Sequence, residues 1–287
     1  MDIYEELIKL RRQGRKAALA TIVHTQGSIP SFQASKMLVR DDGSIFGTVG
    51  GGCVEAEVWS AAREVMEQEK PRKLTFNLNA DPRYDIGLTC GGTLEIFIEP
   101  ILAQPTCYIF GAGHVGQATA KIAALAGFSI VACDDRPQFA NPARFPDAAE
   151  IHADEWEKIF PRLDLTEFSY VVITTRGHKD DLRVLRWALT TRARYVGLIG
   201  SKRKVISLFK LLQEEGVPRE TLDRVHAPIG LEIGALTPEE IAVSIVAEMI
   251  AVRRHAAVPL SKSHPGEDET LPAAGRPAVF GPRSNPG

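Results

Sequence analysis

Several things are scarce in this chain of 287 residues, and each shortage closes a class of function. It has four cysteines, Cys53, Cys90, Cys107 and Cys133, far apart in sequence. None forms a CxxC pair, which argues against a zinc knuckle, and no tight cysteine spacing marks a disulfide framework. They read as thiols of a cytoplasmic protein. Net charge is nearly absent: 34 Lys+Arg against 36 Asp+Glu leaves −2. That speaks against a general nucleic-acid binder, which carries a basic excess. No apolar run approaches the ~18 residues of a membrane span. The first residues, MDIYEELIKLRRQGRK, are acidic and then basic, without the apolar region of a secretory signal. No internal repeat is seen. What remains is ordinary globular composition, 44% apolar and 24% charged, enough for a sizeable core.

The organisation changes near residue 103. Before it, residues 2–13 have the spacing of an amphipathic helix, with Ile3, Leu7, Ile8 and Leu10. Residues 17–24 read as a strand and 25–35 as a loop. Residues 36–40 and 45–49 flank Asp42-Gly43, a hairpin signal. Residues 54–69 read as a helix, 73–78 and 93–99 as strands, and 79–92 as irregular. This is an α+β unit over residues 1–102. From Thr106 strands and helices alternate: strands over 107–110, 128–133, 170–174 and 195–199, helices over 113–126, 179–190 and 201–215. Such alternation predicts a doubly wound parallel sheet, a Rossmann-like unit over residues 103–258. Thr237-Pro238-Glu239-Glu240 opens a last helix, with Thr237 as cap and Glu240 completing a capping box. Its apolar residues run nearly all round, so it is expected to be covered on two sides. The last 29 residues, 259–287, hold 6 prolines and 4 glycines and read as a disordered tail.

Six clusters carry candidate chemistry, one of which, His226–Gly234, reads as a rigid loop feeding the last helix, with a structural role at least as fitting as a catalytic one. Gly111-Ala112-Gly113-His114-Val115-Gly116 follows a predicted strand and opens a predicted helix. Asp134 comes 23 residues after Gly111, near the ~20 that separates a dinucleotide-binding turn from its ribose-binding acid. His114 is either a solvent-facing helix start or a cofactor contact. Gly50, Gly51 and Gly52 precede Cys53, where a helix start favours a thiolate and the glycines allow close approach of a ligand. The alternative is an inert buried thiol. Thr89-Cys90-Gly91-Gly92 repeats the pairing of thiol and glycine. His178, in Thr174–Asp181, lies at the end of a strand and serves either proton transfer or capping; Asp180 and Asp181 read as caps. Ser201 and Lys202 open a basic helix suited to an anion, or simply a solvated one.

Together these segments resemble the XdhC/CoxI family: residues 27–58 through GTVGGGCVEAEV, 88–100 as LTCGGTLEIFIEP, 109–128 around IFGAGHVG, 197–204 as GLIGSKRK, and 226–254 through GLEIGALTPEEIA. Members are accessory proteins of molybdenum hydroxylases such as xanthine dehydrogenase. The resemblance implies binding of the molybdenum cofactor (molybdopterin), support for its sulfuration with a cysteine desulfurase as sulfur source, and its insertion into the apo-hydroxylase. It also implies a cytoplasmic homodimer, more a maturation factor than a turnover enzyme. By position, Cys53 and Cys90 become the candidates for sulfur handling or molybdenum ligation. Gly50–Gly52, Gly111, Gly113, His114, Gly116, Asp134, Ser201 and Lys202 become the candidates for holding the cofactor. An NAD(P)-dependent oxidoreductase using the Gly111 turn, with His178 as acid/base, is the alternative.

Overall fold

Strand β1 (Ala17–Ser28) buries both its faces, as the two-residue strand period demands. Ala18, Ala20 and Ile22 join one core cluster, Ala17 and Leu19 another. The structure is a computed structural model, which describes residues 2–28, 34–78 and 91–256. The other members of the N-terminal sheet are β2 (Lys36–Arg40), β3 (Ile45–Gly47), β4 (Arg72–Asn77) and β5 (Gly91–Ile101). The order is β3-β2-β1-β5-β4, and all neighbours are antiparallel. Helix α1 (Ile3–Arg12) covers one face through Leu10, and α2 (Gly52–Gln68) covers the other through Val58, Ala61, Ala62 and Val65.

One boundary differs from the expectation of a loop over residues 25–35. Residues 25–28 continue β1, pairing with Leu94, Thr93, Gly92 and Gly91. The partner strand supplies this ladder, and a register shift between Ile22 and His24 accommodates it. The irregular segment expected over 79–92 lies mostly outside the described residues, as do Cys90 and the expected tail.

The second sheet contains β6 (Thr106–Phe110), β7 (Ser129–Asp134), β8 (Glu150–Ala153), β9 (Ser169–Ile173), β10 (Tyr195–Leu198) and β11 (Val225–His226). Its order is β11-β10-β9-β6-β7-β8, wholly parallel. Numbered from its own first strand this is 6-5-4-1-2-3, the order of dinucleotide-binding folds. Helices α3 (His114–Leu125) and α8 (Pro238–Arg253) cover the face bearing Cys107, Ile109, Tyr170 and Val172. Helices α5 (His178–Ala188) and α6 (Lys202–Glu214) cover the face bearing Phe110, Val171 and Ile173. Short helices α4 (Trp156–Ile159) and α7 (Arg219–Leu222), like β8 and β11, have no counterpart in the sequence pattern. At two to four residues they are too short to show a period. No helix among the described residues is long and apolar enough to cross a membrane.

The two sheets meet at Glu69, the left-handed C-cap of α2. Its carboxylate takes both terminal nitrogens of Arg194, at the N-terminal end of β10, and lies 3.2 Å from His255 Nε2 and 3.9 Å from Lys16 Nζ. Lys16 in turn pairs with Glu167 at 2.6 Å. Burial works to raise the Glu69 pKa, but hydrogen bonds from Arg194 and His255 outweigh it and hold the carboxyl below its ordinary range. Stability from this group is therefore present above the unfolded carboxyl pKa and lost as pH falls through the lower folded one. Glu69→Gln should cost about 1–2 kcal/mol at neutral pH, after allowing for water around the pair. Urea unfolding across the acid range should also show a shallower pH slope in the variant than in the parent.

Candidate functional site

Three glycines build the turn after β6, each for a separate reason. Gly111 has φ +107°, and a Cβ there would lie 2.3 Å from the Thr174 carbonyl oxygen. The turn thus presses against the end of β9, at the point where strand order reverses. Gly116 lets α3 approach the sheet, since a Cβ would meet the Gly111 carbonyl oxygen at 2.0 Å. Gly113 is different: nothing lies within 4 Å of a Cβ built on it. These are the tight-turn, close-packing and ligand-approach roles of a phosphate-binding turn. Gly113 caps α3 without a side-chain hydrogen bond, so the first amides of the helix stay unsatisfied by the chain's side chains. His114, first in the helix, is exposed.

Asp134 ends β7 beside this turn and is buried. One oxygen accepts from the Ala112 amide at 2.7 Å and from Arg136 Nη2 at 3.0 Å. The other accepts from the Arg136 amide at 3.0 Å and Arg136 Nε at 2.8 Å. That uses all four acceptor sites of a carboxylate. A ribose diol would have to displace Arg136 to reach it. Burial pushes the Asp134 pKa up, yet the Arg136 and Ala112 donors pull it down further, leaving it below the usual value. Asp135 moves the other way, raised by burial and by its acidic neighbour Asp134, while Arg176 Nη2 pairs with it at 2.9 Å. Arg136 lies over the Phe139 ring at 3.9 Å, and Arg144 Nη2 donates to the Ala112 carbonyl at 3.2 Å. The rim of the turn therefore carries three arginines, Arg136, Arg144 and Arg176, matched by three aspartates, Asp134, Asp135 and Asp180.

The same carboxyl edge of the sheet gathers His178, Ser201 and Lys202. His178 is exposed at the start of α5. Ser201 caps α6 by accepting from the Lys204 amide at 3.3 Å, and Lys202 is exposed. The expected capping by Asp181 gives way to another role. Asp181 is fully buried, takes the Thr175 hydroxyl at 2.6 Å and pairs with Lys204, whose ammonium also donates to the Ile199 carbonyl at 3.2 Å. Gly177 occupies the cap position instead. A charge buried with α5 needs a partner, and Lys204 is the cation whose stem reaches inward. Sequence spacing singles out neither Arg136 nor Arg144, and it gives Lys204 only as one of the basic residues that open α6. Arg136 is the most discoverable of them, since it adjoins the two aspartates.

Cys53 stands elsewhere. It is exposed in the first turn of α2, after Gly50, Gly51 and Gly52 at φ +122°, +82° and +63°. Glu55 holds this loop from within, taking the Thr48 hydroxyl and the Val49 amide. A Cβ on Gly51 meets nothing within 4 Å, so the loop is open. Cys107 and Cys133 are buried, which pushes their thiols far up. Among the described residues no three His, Cys, Asp or Glu side chains group closely enough to hold a metal ion. Helix α2 sets Cys53 roughly 24 Å, sixteen residues of helical rise, from Glu69 at the junction. The Gly111 turn follows β6 at the carboxyl edge of the parallel sheet, whereas Glu69 meets Arg194 at the amino edge. Cys90 lies outside the described residues, though Gly91 after it pairs with Ser28 at the end of β1.

Fold and site together define a Rossmann-type α/β protein with a glycine-rich turn of the dinucleotide-fold kind, joined to a smaller antiparallel α+β unit. Two family models match it: the XdhC Rossmann domain over residues 107–249, and the XdhC and CoxI family over residues 10–77. The chain belongs to the XdhC and CoxI family. It is 37% identical over 268 residues to the uncharacterized protein YqeB of Escherichia coli, covering 92% of this chain and 49% of that protein. The chain thus spans about half the length of this relative. It is 25% identical to a probable xanthine dehydrogenase subunit of Bacillus subtilis, covering 90% and 99% of the two chains. It is 26% identical to PaoD of E. coli, a molybdenum cofactor insertion chaperone, covering 84% and 85%.

The glycine roles separate two substitutions. Gly113→Ala should fold with an unchanged melting temperature, because its φ of −70° and open surroundings tolerate a methyl group. Gly116→Ala should lower the melting temperature by several degrees, because its methyl group collides with backbone. Thermal unfolding followed by circular dichroism checks both.

Proposed function

We propose that this protein is a molybdenum-cofactor-binding accessory protein, which supports sulfuration of the cofactor and its insertion into a xanthine dehydrogenase-like hydroxylase. One observation carries the reading: the turn offers an open phosphate cradle, while its ribose-side acid, Asp134, is saturated by Ala112 and Arg136. That arrangement suits a terminal phosphate without an attached nucleoside, as in molybdopterin, better than NAD(P). The family match and the similarity to an insertion chaperone point the same way.

In this reading the α3 amides and Gly113 hold the phosphate, and the Arg136 and Arg176 guanidiniums balance its charge. Cys53, and Cys90 by its place in the sequence, are the soft sulfur groups that ligate molybdenum or handle sulfur. When bound, the cofactor would supply the molybdenum centre and a cysteine desulfurase the sulfur, with Cys53 and Cys90 the groups of this chain that would handle it. The protein acts in the cytoplasm as a homodimer. His114 and His178, both exposed at the same edge, are left to contact the cofactor or the client.

The test is cofactor loading. Purified anaerobically from a cofactor-producing host, the parent should carry pterin, read by fluorescence after oxidation, and molybdenum, read by mass spectrometry. Gly113→Ala should reduce bound pterin at least about tenfold, because its methyl group occupies the space through which the phosphate approaches the α3 amides. Cys53→Ala and Cys90→Ala should keep pterin but lose sulfurated cofactor. A parent without pterin that instead binds NAD(P)H would replace this reading with the oxidoreductase one.

A further inference from the structure

A turn, a ring and a carboxylate together fix Arg136 at the end of β7. Its carbonyl accepts from the Phe139 and Ala140 amides at 3.0 and 3.1 Å, closing a tight turn. Pro137 takes the second position of that turn, where its fixed φ is favoured. The turn brings the Phe139 ring to the guanidinium, 3.9 Å from centroid to Cζ. The guanidinium then meets Asp134 at two points, Nε on Oδ1 at 2.8 Å and Nη2 on Oδ2 at 3.0 Å. The Asp134 side chain is 2% exposed and that of Arg136 21%, so the guanidinium is the outer member of the pair.

In dinucleotide-binding folds the acid at this place takes the ribose hydroxyls of the bound nucleotide. Here a ribose diol would compete with Arg136 for the same two oxygens. The guanidinium brings a full positive charge and two parallel donors on a rigid fork, whereas the diol brings two neutral hydroxyls. Arg136 is also tethered two residues from Asp134, so it does not give up the translational freedom that a ligand loses on binding. Without the arginine side chain, Asp134 would keep only the backbone amides of Ala112 and position 136 as donors. Two acceptor sites of a buried charge would then stand open to a diol.

We propose that Arg136 is the specificity-determining residue of the Gly111 turn, refusing a nucleotide's ribose diol by occupying Asp134 and leaving the turn to a ligand that ends in a phosphate. For the ligand admitted, the assignment rests on the cofactor reading above; for the class refused, it rests on the Asp134–Arg136 pair alone.

Fluorescence titration of the full chain with NADH tests it. The parent should show no saturation below about 1 mM, and Arg136→Ala should saturate at least about tenfold lower. NADPH, which carries a phosphate in place of one ribose hydroxyl, should gain nothing in Arg136→Ala, because the unpaired Asp134 repels it. Adding Asp134→Asn to Arg136→Ala should abolish the NADH gain, which a general loosening of the turn would not do. Arg136→Lys keeps a countercharge for Asp134 without the two-point hold, so it decides the matter where Arg136→Ala fails to fold, and it too should gain NADH binding. Saturable NADH binding by the parent would overturn the proposal. So would variants at Arg136 that melt as the parent does and gain no NADH binding, or a gain that persists without the Asp134 carboxylate. Pterin loading of the parent is read separately. Its absence beside an NADH gain in Arg136→Ala removes the cofactor reading and keeps this one, and its presence without that gain does the reverse.

Discussion

The backbone contact between the Gly111 turn and the end of β9 is the constraint on which the carboxyl edge of the parallel sheet depends. Only a residue without a Cβ fits at Gly111, because the Thr174 carbonyl occupies the space. The Thr174 hydroxyl then closes the same junction by donating to the Gly111 carbonyl at 3.0 Å. Asp134 ties the next residue, Ala112, to β7. The turn is thereby clamped from two strands, and α3 leaves it with its amides pointing at open space. Such a turn is preorganised, so a ligand would spend little ordering it.

Electrostatics divide the molecule between its two ends. At the junction, Glu69 collects Arg194, Lys16 and His255 and joins an antiparallel sheet to a crossover-rich parallel one. At the carboxyl edge, arginines and aspartates interleave around the turn. At the opposite end of α2, Cys53 sits on an open loop of glycines. A near-zero net charge is therefore the sum of placed charges, not a sign of an uncharged surface. The buried carboxylates are partnered: Asp134 by Arg136, Asp181 by Lys204, Glu248 by Tyr195, His226 and a backbone amide. Each would be prohibitive to bury alone.

Legibility from sequence follows the length of the signal. Helix α8 is readable because Thr237, Pro238 and Glu240 form a local capping box, and Glu240 does accept from the Thr237 amide at 3.0 Å. The Gly111 turn is readable because its strand, turn and helix are contiguous. The extension of β1 to Ser28 is not, since its ladder is supplied by β5 more than sixty residues away in the chain. Strand β11 is not, because two residues carry no period. Asp181 reads as a cap because first-turn aspartates usually are, and only the position of Lys204 turns it inward.

Spacing along the chain is enough to establish the alternation of elements, the phosphate-type turn, the two glycine-linked thiols and the family resemblance. These rest on neighbours in the chain, where local geometry carries the physics. What each charged group does is settled only when distant segments pack. Packing commits Asp134 to Ala112 and Arg136, turns Asp181 inward onto Lys204, and puts Glu248 beside His226. Those outcomes depend on which distant donors share a buried volume with each acceptor, and a linear pattern does not contain that.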